Sequence, residues 1–243
     1  MKRSLISELS WDSSFFGRKI GELNIDGAQL HMIEEALTRA RKDNFSYLHC
    51  KVSIHDSCLT RGLESNGFYL TDVAVTWRLN RYITDYKSNV HVRPASESDI
   101  PMARELVTSL FLNSRFYNDP FFKKKEAERL YQTWIDNSIR GLAADAVFLI
   151  PDAGLITCRK KEEKTGQIVL VGVRKEMRRK KYGEELVHTA LDWFKSEGLL
   201  AVNATTQLRN IAAMNFYSRL GFAIKEYYLI FGNILAENPP LHV

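Results

Sequence analysis

With 243 residues, 45% hydrophobic and 26% charged, the chain has the composition of a globular protein and length for one large core or two smaller ones. Its net charge of +5 is small for a nucleic-acid-binding surface and favours, at most, an anionic ligand. Three scattered cysteines fit reduced thiols rather than a disulfide framework, and no run approaches the roughly 18 apolar residues needed to span a bilayer, so a soluble, cytoplasmic protein without membrane insertion is expected.

The start, MKRSLISELSWDSSF, lacks the apolar stretch of a signal peptide. Within AQLHMIEEALTRARKD, Leu30, Ile33, Leu37 and Ala40 fall at helical spacing, and FSYLHCKV reads as a strand. DSCLTRGLESNGF is a second helix stopping at Gly67, and VAVTWRL alternates like another strand. The polar, aperiodic NRYITDYKSN is the expected linker. It divides a smaller α/β segment (1–88) from a larger one (89–243).

The larger segment opens with the strand VHVRP, then ASESDIPMARELVTSLF, a helix capped by Ser96, Ser98 or Asp99 and burying Met102, Leu106 and Leu110. An aromatic loop, SRFYNDPFF, precedes the helix KKEAERLYQTWIDNSI. Three strands follow in AVFLI, GLITCRK and QIVLVGV. A basic turn leads into GEELVHTALDWFKSEG, where Leu186, Ala190, Leu191 and Phe194 make one apolar face and His188 falls on the polar side. LLAVNATT is a strand, RNIAAMNFYSRLG a helix ended by Gly221, and YYLIF a last strand. This order predicts an α/β (α+β) fold, a mixed sheet with helices on both faces. NFYSRLGF and GLESNGFYL both run helix, Gly-Phe, strand. The first segment is then either a shortened relative of the second, or both are ordinary helix–Gly–strand turns.

RKEMRRKKYGEEL (174–186) concentrates its charge at one strand-to-helix turn. Free N–H groups and the positive dipole end at a helix start attract phosphate, and Gly183 permits close approach. Nucleic-acid binding would need a broader basic face with aromatic platforms, so a compact phosphate ligand or a merely solvated turn are the two readings. In NIAAMNFYSRLGF, Asn210 and Tyr217 are seven apart, on one helix face.

Taken together, about positions 90–235 resemble the acyl-CoA-dependent GNAT N-acetyltransferase superfamily. Its phosphate loop, Gln/Arg-x-x-Gly-x-Gly/Ala, corresponds to Arg178, Arg179, Lys180, Lys181, Tyr182 and Gly183, with Lys181 replacing the first glycine and able to crowd the backbone cradle. Its Asn-x-x-Ala-x-x-x-Tyr followed by Gly-Phe corresponds to Asn210, Ala213, Tyr217, Gly221 and Phe222. The resemblance implies a mainly antiparallel sheet and acetyl-CoA or another short acyl-CoA as co-substrate. It also implies strand residues Leu170, Val171 and Val173 beside the thioester, and Tyr217 as general acid to the departing thiolate. WDSSFFGRKIGEL and SRFYNDPFF are similar to the two-segment TDP-fucosamine acetyltransferases. That likeness implies a dTDP-linked amino sugar as acceptor, a role in surface-polysaccharide synthesis and room for a homodimer. Arg115 would then meet the diphosphate, with Phe116, Tyr117 and Phe121 offering aromatic faces. Taken singly, Phe116, Phe121 and Phe122 read as core residues under the loop. Another amine acceptor (a protein N-terminus, polyamine or aminoglycoside) and a non-catalytic basic binding module are the alternatives. An acidic pocket would favour the cationic acceptors, Arg with aromatic residues the nucleotide sugar. No HExxH, GxSxG or Cys–His pattern occurs, and no metal is expected.

Overall fold

A computed structural model describes residues 4–80, 86, 90–162 and 164–235. In chain order the elements begin with β1 (Ile6–Glu8), α1 (Ser10–Phe16), β2 (Ile20–Leu23), α2 (Ile33–Lys42), β3 (Tyr47–Ser53), α3 (Ser57–Ser65) and β4 (Tyr69–Leu79). They continue through β5 (Arg93–Pro94), α4 (Ile100–Val107), α5 (Arg115–Asn118), α6 (Lys124–Ile139), β6 (Ala146–Ile150), β7 (Gly154–Lys161) and β8 (Thr165–Val173). The chain closes with α7 (Tyr182–Ser196), β9 (Ala201–Gln207), α8 (Ile211–Arg219) and β10 (Ala223–Ile234). The strands form one sheet in the order β1-β2-β3-β10-β4-β9-β8-β7-β6-β5. Only β2/β3 and β8/β9 pair parallel; the other neighbours are antiparallel, as expected for a mixed, mainly antiparallel sheet. The expected linker falls mostly outside the described residues.

Alternation along the strands covers both faces. Phe148, Ile150, Ile156 and Cys158 pack with Leu186, Ala190, Leu191 and Phe194 of α7. Their neighbours Val147, Leu149 and Leu155 pack on the other face with Ala103, Leu106 and Ile135 of α4 and α6. Ser96 and Asp99 form a reciprocal capping box before α4. That helix ends at Val107 and buries Ile100, Ala103, Leu106 and Val107 rather than the expected Met102–Leu106–Leu110 stripe. His188, expected at the surface, is buried and stacked on Tyr86 with 3.7 Å between ring centroids, a cover that its own helix does not supply.

The Gly-Phe echo extends well beyond two turns. Strands β3 and β9, helices α3 and α8, and the turn glycines Gly67 and Gly221 start at 47 and 201, 57 and 211, and 67 and 221, each pair 154 positions apart. Asp56 caps α3 by accepting the Leu59 N–H (2.9 Å), and Asn210 caps α8 by accepting the Ala213 N–H (3.2 Å). Gly67 and Gly221 both have φ +80°, the left-handed conformation that glycine adopts without strain. The last strands of the two halves are exchanged: β10 lies between β3 and β4, and β4 between β10 and β9. The segments 1–88 and 89–243 therefore share one sheet instead of forming two, because β10 of the second pairs with β3 of the first and β4 of the first pairs with β9 of the second.

Candidate active site

Between β8 and α7 the chain turns through Arg174–Lys181. The backbone N–H groups of Arg179 to Glu184 have no backbone acceptor among the described residues, whereas the Glu185 N–H already donates to Lys181 O (3.0 Å). Arg179 and Lys181 take φ of +62° and +64°, in the left-handed region. A side chain costs roughly 1–2 kcal/mol there. Lys181 thus adopts the conformation that suits the glycine of the resembled loop, and its side chain is exposed instead of filling the turn. Arg178, Arg179 and Lys180 are exposed too; Arg178 Nε donates to Val173 O (3.1 Å). Gly183 lies against Phe216 of α8, where a Cβ would meet the ring at 3.3 Å. This brings the turn beside the Asn210–Tyr217 helix.

Next to this turn the sheet opens. Parallel pairing of β8 with β9 runs only from Thr165 to Ile168, while β9 continues to Gln207 on β4. A bulge in the β7 pairing at Thr157/Cys158 coincides with the divergence. The Leu170 N–H, expected to face the thioester, is taken by Thr157 Oγ1 at 3.0 Å. Into the gap opens a cavity of about 850 Å³, in the range of small-molecule sites. Leu170, Val171, Asn210, Ala213 and Tyr217 line it; Val173 lies beyond, packed toward α7. Tyr217 is only 3% exposed, and its hydroxyl has no hydrogen-bond partner among the described residues. Burial pushes its phenol well above the ordinary tyrosine range.

The far wall comes from the aromatic loop and the N-terminal half. Asp119 anchors the loop: it accepts from the Tyr47 hydroxyl, the Tyr69 hydroxyl (2.8 Å) and the Phe121 N–H (3.0 Å). Arg115 and Phe116 consequently line the cavity, and the Arg115 guanidinium makes no ion pair among the described residues. Tyr117 and Phe121, expected at the substrate, do not line it. Tyr117 packs beside Tyr131 with its hydroxyl buried, and Phe121 stacks on Tyr47 (4.4 Å) with Arg18 over its ring (4.3 Å).

Trp11, Asp12, His49 and Asp72 also line this wall and were assigned no role from sequence. His49 and Asp72 each interrupt an apolar strand, which is the signal that could have found them. Burial, with Arg115 and Lys51, lowers the His49 imidazole to about 3, so it stays neutral with Nδ1 unpartnered. Asp72 is raised by burial against the Val73 N–H and Arg209. One carboxylate oxygen takes both groups (2.8 and 3.4 Å), and the other is buried without a partner. Charge in the wall is balanced: Asp12, Glu22 and Asp72 face Lys51, Arg115 and Arg159.

A gap between the central strands β8 and β9, a turn with free N–H groups beside α8, and a buried tyrosine on α8 lie close together. Residues 107–222 match the acetyltransferase (GNAT) family, so the chain carries a GNAT acetyltransferase domain containing the turn, Asn210 and Tyr217. The chain is similar to the dTDP-fucosamine acetyltransferase of Escherichia coli O6:H1, with 27% identity over 90% of this chain and 93% of that protein. It is also 24% identical over 56% of its length to the spore coat polysaccharide biosynthesis protein SpsD of Bacillus subtilis, spanning 47% of that protein. Among solved structures, a GCN5-related N-acetyltransferase from Sphaerobacter thermophilus shares the fold with a TM-score of 0.66 at 13% identity, over 96% of this chain and 77% of that one. Among the described residues no helix is long and apolar enough to cross a membrane.

Proposed function

We propose that the protein transfers an acetyl group from acetyl-CoA to the amine of a dTDP-linked amino-dideoxy sugar. The observation that carries this reading is the mixed charge lining the cavity into which Tyr217 also opens. An amino sugar on a nucleoside diphosphate is cationic at one end and doubly anionic further along. Asp72, a carboxylate lining the cavity, suits the ammonium, and Arg115, without an ion pair among the described residues, suits the diphosphate. A polyamine would be matched by acidic groups alone. The full-length likeness to a dTDP-fucosamine acetyltransferase supports the same acceptor.

The residues fit an acyl-CoA donor. The free N–H groups of the 179–184 turn, flanked by exposed Arg and Lys, would receive its phosphates. Because the Leu170 N–H is engaged toward β7, strand alternation turns the Val171 N–H to the open side, where it would stabilise charge gathering on the thioester oxygen. As the amine nitrogen bonds the acyl carbon and the C–S bond breaks, the Tyr217 hydroxyl donates to the departing sulfur. The ammonium proton leaves toward Asp72 before attack, and the second nitrogen proton, released as the amide forms, passes to the thiolate to give CoA thiol. A thiol has a pKa of about 8.5, well below this buried phenol, so Tyr217 acts chiefly as a hydrogen-bond donor to the thiolate.

The test is incubation with acetyl-CoA and dTDP-4-amino-4,6-dideoxygalactose, following product mass and thiol release. An increase by one acetyl group on the sugar is expected. Thiol release with spermidine or an aminoglycoside but not with the nucleotide sugar would replace this acceptor with a polycation.

A further inference from the structure

The proposed acceptor is longer than its amine and diphosphate, and the WDSSFF segment at the opposite wall has no place in the chemistry so far. Trp11 is half exposed (50%), an unusual state for an indole with no core role, and it lines the same cavity as Tyr217. Its ring is held flat on Phe15, with centroids 5.1 Å apart and planes within 10°. Phe15 is fixed in turn by Arg129, whose guanidinium lies 4.7 Å from the ring centroid and donates to Phe15 O at 2.9 Å. Trp11 is thus an oriented platform. Asp12, the next residue, also lines the cavity, and Arg115 acts on it electrostatically without forming an ion pair. The same Arg115 charge also acts on His49 and Asp72, and all of these residues line the one cavity.

We infer that the N-terminal half seats the nucleoside end of the acceptor, with the base stacked on the Trp11 indole, a pentose hydroxyl donating to Asp12 and the diphosphate on Arg115. This assignment rests on the nucleotide-sugar reading above. An aromatic platform, a guanidinium and carboxylates gathered in one cavity supply a partner for each of the base, diphosphate, pentose hydroxyl and amine of such a molecule. A flat aromatic face recognises any base by its π surface, while the carboxylate only accepts hydrogen bonds and so requires a hydroxyl or N–H.

The probe is dTDP, which lacks the amine, used as a competitive inhibitor against the dTDP-amino sugar. Base stacking on an aromatic side chain corresponds to about 10- to 100-fold in affinity. Trp11→Ala should raise the dTDP inhibition constant and the KM for the sugar by about that factor, leaving kcat and the KM for acetyl-CoA within about twofold. Trp11→Phe should recover most of the loss while abolishing quenching of Trp11 fluorescence by dTDP. Asp12→Asn should weaken dTDP with acetyl-CoA binding unchanged. Inhibition of the wild type and Trp11→Ala alike overturns the base seat and leaves the acceptor assignment standing. Absence of any dTDP inhibition in the wild type overturns both.

Discussion

Tyr217→Phe removes one oxygen from the centre of the cavity wall and leaves the ring in place against Trp77, Phe216 and Phe222, whose centroids lie 6.2, 5.5 and 5.4 Å away. The hydroxyl makes no hydrogen bond among the described residues, so no partner is orphaned. The hydroxyl opens onto the cavity and is not among the shielded unpartnered atoms, so its removal relieves at most a fraction of the about 1–3 kcal/mol that a fully shielded hydroxyl would cost. The melting temperature should stay level or rise by at most about 4 °C. Turnover should fall about 10²- to 10⁴-fold, the usual effect of removing a proton donor, or roughly 3–5 kcal/mol of barrier. Acetyl-CoA affinity, which the proposed reading places mainly at the 179–184 turn, should barely change. Thiol release at saturating substrates gives the rate, calorimetry the donor affinity and differential scanning fluorimetry the stability. Because burial raises the phenol, the wild-type rate should show no basic limb from Tyr217 below about pH 10. Turnover within about tenfold of the wild type would remove Tyr217 from the chemistry and leave it a packing residue.

Asp119→Ala should be the most damaging change to the acceptor wall, stranding two tyrosine hydroxyls and one N–H for roughly 3–5 kcal/mol and about 6–20 °C in melting temperature. A loss under about 2 °C would show the anchor to be dispensable. His49 stays neutral in the fold down to about pH 3, against 6.5 unperturbed. The unfolded chain therefore binds the extra proton between those values, and His49 removes stability as pH falls from about 6.5 toward 3 and none above. His49→Asn should melt with a shallower acid slope in that window; parallel slopes would contradict the buried neutral imidazole. Lys181→Gly relieves a left-handed side chain and adds unfolded-state freedom, for a net gain near 0.5–1 kcal/mol and about 1–4 °C. A lower melting temperature would mean that the lysine makes a stabilising contact.

The elements with long apolar periodicity were readable from sequence: α6, α7 and β6 through β9 lie where spacing placed them. The strand-to-helix turn before Gly183 and the placement of Asn210 and Tyr217 on one helix were legible because their requirements are local, a helix start and two residues two turns apart. Short elements were not. β1, α1 and β2 span 3, 7 and 4 residues, too few for a period to show. The acceptor wall was only partly legible for a different reason. Whether Phe116 lines the cavity or Phe121 fills the core depends on Asp119, whose partners Tyr47 and Tyr69 are 72 and 50 residues away. Nothing within the loop distinguishes the two rings. His188 failed likewise, because its cover comes from another segment.

The strand exchange explains why the site needs both halves. Asp72 on β4 reaches Arg209, and through it the start of α8, only because β4 has left its own half to pair with β9. The repeated frame allows the two halves to be compared position by position. Asn210 corresponds to Asp56 and Tyr217 to Leu63, a fully buried leucine. The first half thus keeps the capped helix, the left-handed glycine and the parallel strand pair, yet has a buried leucine where the second half has Tyr217. We propose that 1–88 is a GNAT-like half that has no acyl-transfer chemistry of its own and serves as the acceptor-binding wall of the other. On that reading a fragment beginning at residue 89 fails to bind dTDP for two reasons. It lacks Trp11 and Asp12, and its β10 has lost both neighbours in the sheet.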